Sequence, residues 1–369
     1  MSIKKFEQHS SLKQKLKERH LRFDDAELDE ILKTHNYFNY FNGLETIFLK
    51  SDNPKDYDNI RLRDFNNLYI FDKEIANILV NCLDEVEEKL KASISYNFCK
   101  QHCSSLNDTM QYTNKNNYMN PADNNLSSST YCRYSANYPF SSAQNKKIYS
   151  EFHDFCLFKP YYLSNLVNRN DHISVSFYQD LNYVAPMGVA IYRDTSNNEN
   201  RHVAVPFWVA IETLTFGEML RLLHYLQDNV MKDVLNDFGL TLSKRNQFLN
   251  MLDFLLCLRN SCAHTTLINR FRTSARYKVN AQLISVFCLS PKNSASPASV
   301  LKLFDVIKIL SYFCDVRRIK RPLRALMVKN ICSMGLQKGH KINVKILDRM
   351  GNDKYSSWQN MLSGKEYIL

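Results

Sequence analysis

Between Asn67 and His102 apolar residues recur with a helical beat. Ile75, Ile78, Leu79, Cys82, Val86, Leu90, Ile94 and Phe98 are mostly three or four positions apart, so they line one face of an amphipathic helix. Neither proline nor glycine interrupts the run. At 1.5 Å per residue it predicts a continuous scaffold helix about 50 Å long. Shorter helices are predicted near 11–20, opened by Ser10 or Ser11, and near 24–34. There Asp24 is a candidate cap, and Asp25 and Glu27 suit the positive N-terminal dipole.

The beat returns in "VPFWVAIETLTFGEMLRLLHYLQ" from Val205, with Pro206 in a first helical turn and Gly217 marking a kink or a close approach. His224 in this segment reads as a helix-surface residue three after Arg221. It returns again in "MLDFLLCLRNSCAHTTLINRF", residues 251 to 271, with Ser243 as candidate cap, and in "VLKLFDVIKILSYFCDV" after a loop at 290–299. Residues 104–147, rich in Ser, Asn and Tyr, carry neither period and read as a long surface insertion. A second irregular stretch spans 170–203. The fold class is therefore all-α, and 369 residues at 44% hydrophobic suffice for one large domain over 1–369.

Charge changes the picture through its placement. The net charge is +11, and no Asp or Glu occurs between Asp253 and Asp305, a window that holds Arg259, Arg270, Arg272, Arg276 and Lys278. A second acid-free stretch, from Val316 to Leu347, carries Arg317, Arg318, Lys320, Arg321 and Arg324 among others. A polyanion is the expected partner of such a field, RNA above all, against the plain reading of a solvated basic surface. The basic start lacks a signal-peptide core and no run of eighteen apolar residues occurs. The expectation is a cytoplasmic protein with no membrane span. Ten cysteines in so long a chain read as reduced thiols. Cys99, His102 and Cys103 have ligand-like spacing but no evident fourth ligand, so thiols near a helix end are the default and neither metal nor cofactor is expected. P-loop, G-x-G-x-x-G, H-E-x-x-H and G-x-S-x-G patterns are absent.

One constellation carries chemistry. On a helical wheel Phe248, Leu252, Leu255, Leu256 and Ala263 share a stripe into which Arg259 falls. An arginine there needs an anion or a route to water. Asn260 and His264 are four apart at the stripe's edge, so three polar groups meet near the predicted helix end. The structural alternative is an Arg259–Glu212 ion pair with a surface histidine, and Glu212 can also orient an arginine that meets phosphate.

"LRNSCAH", with helix before it and basic residues after it, resembles the R-N-x-x-A-H signature of HEPN ribonucleases. More widely, "KKFEQHSSLKQKLKERHL", "THNYFNYFNGL", "LYIFDKEIANILVNCLDEVEEKLKASISYNF" and "VPFWVAIETLTFGEML" resemble, in order, abortive-infection proteins of the D and F type, a HEPN-containing family of bacterial phage-defence proteins. The chain departs from that pattern at Asn39, where the family usually has arginine, and in its two irregular stretches, which are longer than usual. The resemblance implies a HEPN-like helical bundle with additional N- and C-terminal helices and long irregular insertions, its motif-bearing helices at 205–270. It implies metal-independent RNA cleavage in which the 2′-hydroxyl attacks its own phosphate. His264, the one imidazole in this constellation, is the candidate general acid or base. Arg259, always charged and forked, suits the phosphate oxygens, and Asn260 would orient His264 or donate to the phosphate. One histidine per chain leaves a second proton transfer to supply, and the resemblance implies a homodimer that pairs two motifs. The competing expectation is a non-catalytic RNA-binding protein, assembled with a small non-coding RNA gripped by Arg270, Arg272, Arg276, Lys278, Arg317, Arg318, Lys320, Arg321 and Arg324.

Overall fold

The apolar face that runs from Ile75 to Phe98 becomes the axis of the molecule. In a computed structural model of the chain, which describes residues 6–104, 111–113, 115–119, 191–193, 199–201, 206–264, 266–274, 277–291, 300–364, 367 and 369, this axis is one of thirteen α-helices among the described residues. The fold is all-α. Among the described residues the strands are two short two-stranded ribbons, Ser51–Asp52 with Lys55–Asp56 and Ile191–Arg193 with Glu199–Arg201. The second ribbon lies inside the 170–203 stretch. Most of 104–147 and of 170–203 lies outside the described residues, as does Arg276.

Helices α1 (His9–Glu18), α2 (Asp25–Thr34) and α3 (Gly43–Phe48) precede the axis. Asp24 caps α2 as expected, accepting from the N–H groups of Ala26 and Glu27. Helix α1 starts earlier than expected, with Gln8 at its cap position, and neither Ser10 nor Ser11 opens it. The axis itself is α4 (Leu62–His102), 41 residues and so about 60 Å long. Leu79, Leu90, Ile94 and Phe98 are completely buried, and the polar face, Glu74, Asp84, Glu85 and Glu88, is exposed.

Helices α5 (Phe207–Ala210), α6 (Phe216–Tyr225), α7 (Asp228–Asp237) and α8 (Arg245–Ala263) follow. The helix expected from Val205 is broken before Gly217. A tight turn over Ile211–Thr213 ends α5, and Thr215 starts α6 with a capping box, its hydroxyl accepting from the Glu218 N–H while the Glu218 carboxylate accepts from the Thr215 N–H. Gly217 serves close packing: a Cβ there would sit 3.6 Å from Leu256 of α8. His224 is fully buried, contrary to its surface reading. Burial, aided by the nearby Arg245 guanidinium, pushes its pKa well below the usual histidine range, so it stays neutral. Part of the expected surface insertion is core: Tyr112 stacks on Phe207 at 5.1 Å and Tyr118 packs against Phe98 at 5.5 Å.

Helices α9 (Ala281–Phe287), α10 (Leu303–Leu310), α11 (Lys320–Met334), α12 (Leu336–Met350) and α13 (Tyr355–Met361) complete the chain. Polar bonds along α4 place its neighbours. Asp64 accepts from Ser333 at 2.5 Å, Glu85 pairs with Arg318 at 2.9 Å, and Ser93 donates to Asp237 at 2.6 Å. Helices α11 and α12 form a close hairpin around Gly339. A Cβ at that position would stand 2.6 Å from the Ile331 Cα and 2.7 Å from the Asn330 carbonyl oxygen, backbone atoms that cannot swing aside. Gly339→Ala is therefore expected to destabilise the protein by about 1–3 kcal/mol, read as a lower urea midpoint with unchanged slope.

Candidate active site

Helix α8 is held by its polar residues as much as by its apolar ones. It begins one residue after the short turn Leu242–Lys244, so Ser243 lies in that turn and does not cap the helix. Arg245 fixes the start: it pairs with Asp228 at 2.8 Å and donates to the carbonyls of His224 and Leu226, each at 3.0 Å. Midway, Asn250 donates to the Lys278 carbonyl at 3.0 Å and accepts from the Asn280 N–H at 2.9 Å. Phe248, Leu252, Leu255 and Leu258 are completely buried.

Toward the end the stripe surfaces. Leu256 is half-buried and Ala263 is exposed. Arg259 is accordingly half-buried, which lowers the cost an arginine would bear deeper in the stripe. Asn260 and His264 are exposed. His264 is the residue at which α8 stops, its N–H donating to the Asn260 carbonyl at 3.1 Å. Among the described residues the Arg259 and His264 side chains make no hydrogen bond or ion pair. The helix end thus carries a guanidinium, a carboxamide and an imidazole within six residues.

Glu212 does not join them. It sits in the turn after α5, its side chain is 61% exposed, and its partner is Lys91 of α4 at 3.4 Å. The apolar run around Trp208 suggested a helix that would aim Glu212 inward, and the turn at Ile211 redirects it. Because Glu212 is exposed and Lys91 keeps a second partner in Glu87 at 3.1 Å, Glu212→Gln is expected to shift stability by less than about 1 kcal/mol, measurable by thermal melting.

The segment that follows the helix end is fixed by a buried residue of α4 that was not among the expected site residues. Asp72 of α4, completely buried, accepts from the N–H groups of Ile268 and Asn269 at 2.9 and 2.7 Å and from the Asn269 carboxamide at 2.6 Å. Burial raises its pKa, while these three donors and Lys73 work the other way. Burial, with a smaller contribution from the same carboxylate, pushes the Cys262 thiol up to about 12. Asn269 in turn accepts from Arg349 of α12 at 3.2 Å, and Arg349 also donates to the Gly43 carbonyl at 3.1 Å and to Thr46. Burial, reinforced by Arg270 and Arg272, lowers the Arg349 guanidinium to about 10, so it remains charged at neutral pH. Arg349 thus lies within electrostatic reach of Arg270 and Arg272, which follow His264 by six and eight positions.

Residues 30–269 match the family described as Abi-like protein. The chain belongs to the Abi-like protein family. That membership supports a role in abortive infection, an antiviral defence. No curated protein and no solved structure matches the chain. The matched span of this Abi-like protein ends at Asn269, the residue clamped by Asp72, and stops before α9–α13. Of the basic residues expected to face RNA, Arg270, Arg272, Lys278, Lys320, Arg321 and Arg324 are exposed. Arg317 and Arg318 are exposed too, yet each is already paired, with Asp315 at 2.8 Å and Glu85 at 2.9 Å. Among the described residues no group of three His, Cys, Asp or Glu side chains is arranged to hold a metal, and His102 instead packs on the Phe98 ring at 4.6 Å. Among the described residues no helix is long and apolar enough to cross a membrane.

Proposed function

We propose that this Abi-like protein is a HEPN-type endoribonuclease that cleaves RNA without a metal and is restrained until infection. The observation that carries the reading is the end of α8: an exposed imidazole and a half-buried guanidinium, neither engaged among the described residues, beside the cluster of Arg270, Arg272 and Arg349. In that arrangement His264 exchanges a proton with the 2′-hydroxyl or the leaving 5′-oxygen. Arg259 stabilises the charge that gathers on the five-coordinate phosphorus, Asn260 donates to a phosphate oxygen, and the arginine cluster draws the backbone in. One imidazole serves one proton transfer. A homodimer with facing α8 ends brings a second His264 for the other, and exposure of the helix end allows such pairing.

The test is incubation of the purified chain with end-labelled RNA in excess EDTA, wild type beside His264→Ala and Arg259→Ala. Cleavage leaving 2′,3′-cyclic phosphate ends, abolished in both variants, is the expected result. A wild-type chain that cuts nothing yet holds RNA tightly would sink the catalytic reading in favour of the binding one. That second reading has an observation of its own: Lys320, Arg321 and Arg324 are exposed at the start of α11 without an ion pair among the described residues. In it His264→Ala changes nothing, and neutralising those residues releases the RNA.

A further inference from the structure

Helix α12 carries a basic stripe that leads to the helix end just described. Lys338, Lys341, Lys345 and Arg349 recur at intervals of three and four, so they share one edge of the helix over about 17 Å. At the far end of the stripe a cavity of about 570 Å³ is walled by Lys338, Lys341 and Lys345 together with Lys50, and Asp58 is the one carboxylate in its lining. That carboxylate is already occupied: Lys338 approaches it at 3.1 Å and Lys50 at 3.6 Å. Lys345 donates to the Leu49 carbonyl at 3.0 Å. Lys341 is exposed and makes no hydrogen bond or ion pair among the described residues. Four cations against one anion leave the cavity strongly positive, while Leu336, 72% exposed, gives its wall an apolar patch. At the near end of the stripe Arg349 donates to the Asn269 carboxamide oxygen at 3.2 Å, and Asn269 is followed directly by Arg270.

We propose that this cavity and stripe form the path of a single-stranded RNA, which enters between Lys50 and Lys341 and runs along α12 to the end of α8. The inference rests on the ribonuclease reading for its destination. Lysine heads suit a phosphate chain as point charges, and the apolar patch beside them suits a sugar or base face. A concave, lysine-walled cavity from which the α12 stripe leads on to Arg349 fits a strand better than the flat surface of an anionic bilayer. The Lys320–Arg324 segment of α11 is then a flank of the path and not its floor.

The experiment uses the full chain carrying His264→Ala, to silence cleavage, and fluorescein-labelled single-stranded RNA of about 12 nucleotides, followed by anisotropy from about 50 to 300 mM KCl. Lys338→Gln, Lys341→Gln and Lys345→Gln combined are expected to weaken binding by on the order of tenfold and to lower the slope of log affinity against log salt by about 2, roughly 0.7 for each lost phosphate contact. Neutralising Lys320, Arg321 and Arg324 together is expected to change both quantities less. Because Lys338 also holds Asp58, Lys341→Glu is measured alone, and it too must weaken binding. An unchanged salt slope in the triple variant, unaltered affinity in Lys341→Glu, or full loss through the α11 set overturns the path. So does a parent that ignores RNA and sediments with phosphatidylserine vesicles. Cleavage by the unsilenced chain is scored separately: intact cleavage with an unaltered slope defeats the path alone, whereas neither cleavage nor binding defeats the ribonuclease reading with it.

Discussion

Replacing His264 with alanine is expected to slow RNA cleavage by about 10²- to 10⁴-fold, the range over which a positioned acid or base accelerates proton transfer. Arg259→Ala is expected to cost about 10²- to 10³-fold, the range for losing one donor aimed at developing charge. Arg259→Lys should fall between wild type and alanine, since it keeps the charge and loses the fork. The measurement is a single-turnover rate on one labelled RNA, with protein in excess. Neither change should disturb the fold: His264 is exposed, and Arg259 is half-buried with no partner among the described residues, so each should stay within about 1 kcal/mol of wild type. Rates equal to wild type in both variants would remove the α8 end from the mechanism. A substrate with 2′-deoxyribose at the cleaved position provides a second check. Cutting it as fast as RNA would show that the nucleophile is not the neighbouring hydroxyl.

The end of α8 was legible because its polar residues violate the local pattern. Arg259 interrupts an apolar stripe and His264 stands where the stripe runs out, and helix α8 ends at that position. The axis helix was legible for the opposite reason: its apolar positions from Ile75 to Phe98 repeat without a break, and all except Ile78 are buried. Glu212 failed because apolar spacing around Trp208 says nothing about a turn three residues long, and that turn gave the carboxylate to Lys91. Asp72 was missed although it left a signal. It lies three positions before Ile75 and seven before Leu79, on the same helical face, a carboxylate among residues destined for the core. Its partners are 196 and 197 positions away in sequence, so burial was inferable and the partner was not. The stripe on α12 was hidden in a charge run, since only the close approach of α11 at Gly339 and the contacts to Leu49, Asp58 and Asn269 show which edge of that helix lies beside α3.

Asp72→Ala should therefore be the most damaging single change away from the reacting groups. Removing the carboxylate leaves the N–H groups of Ile268 and Asn269 and the Asn269 carboxamide buried without their acceptor, and each such group costs about 1–3 kcal/mol when left unsatisfied. Relief from burying a charge works against this loss, and some local rearrangement will recover part of it. The net expectation is destabilisation of about 3 kcal/mol, read as a drop in the urea midpoint. Asp72→Asn keeps one acceptor oxygen and points an N–H pair at the others, so it should fall between alanine and wild type. A simple loss of stability would leave the rate of the folded fraction unchanged at low temperature. Asp72 instead holds the segment that follows His264 and, through Asn269, the Arg349 guanidinium. Cleavage measured well below both melting transitions should consequently fall by about tenfold or more, since a misplacement near 1 Å is enough for such a loss. If Asp72→Ala cleaves at the wild-type rate while folded, Asp72 is a stability residue only, and the end of α8 keeps its geometry without the clamp.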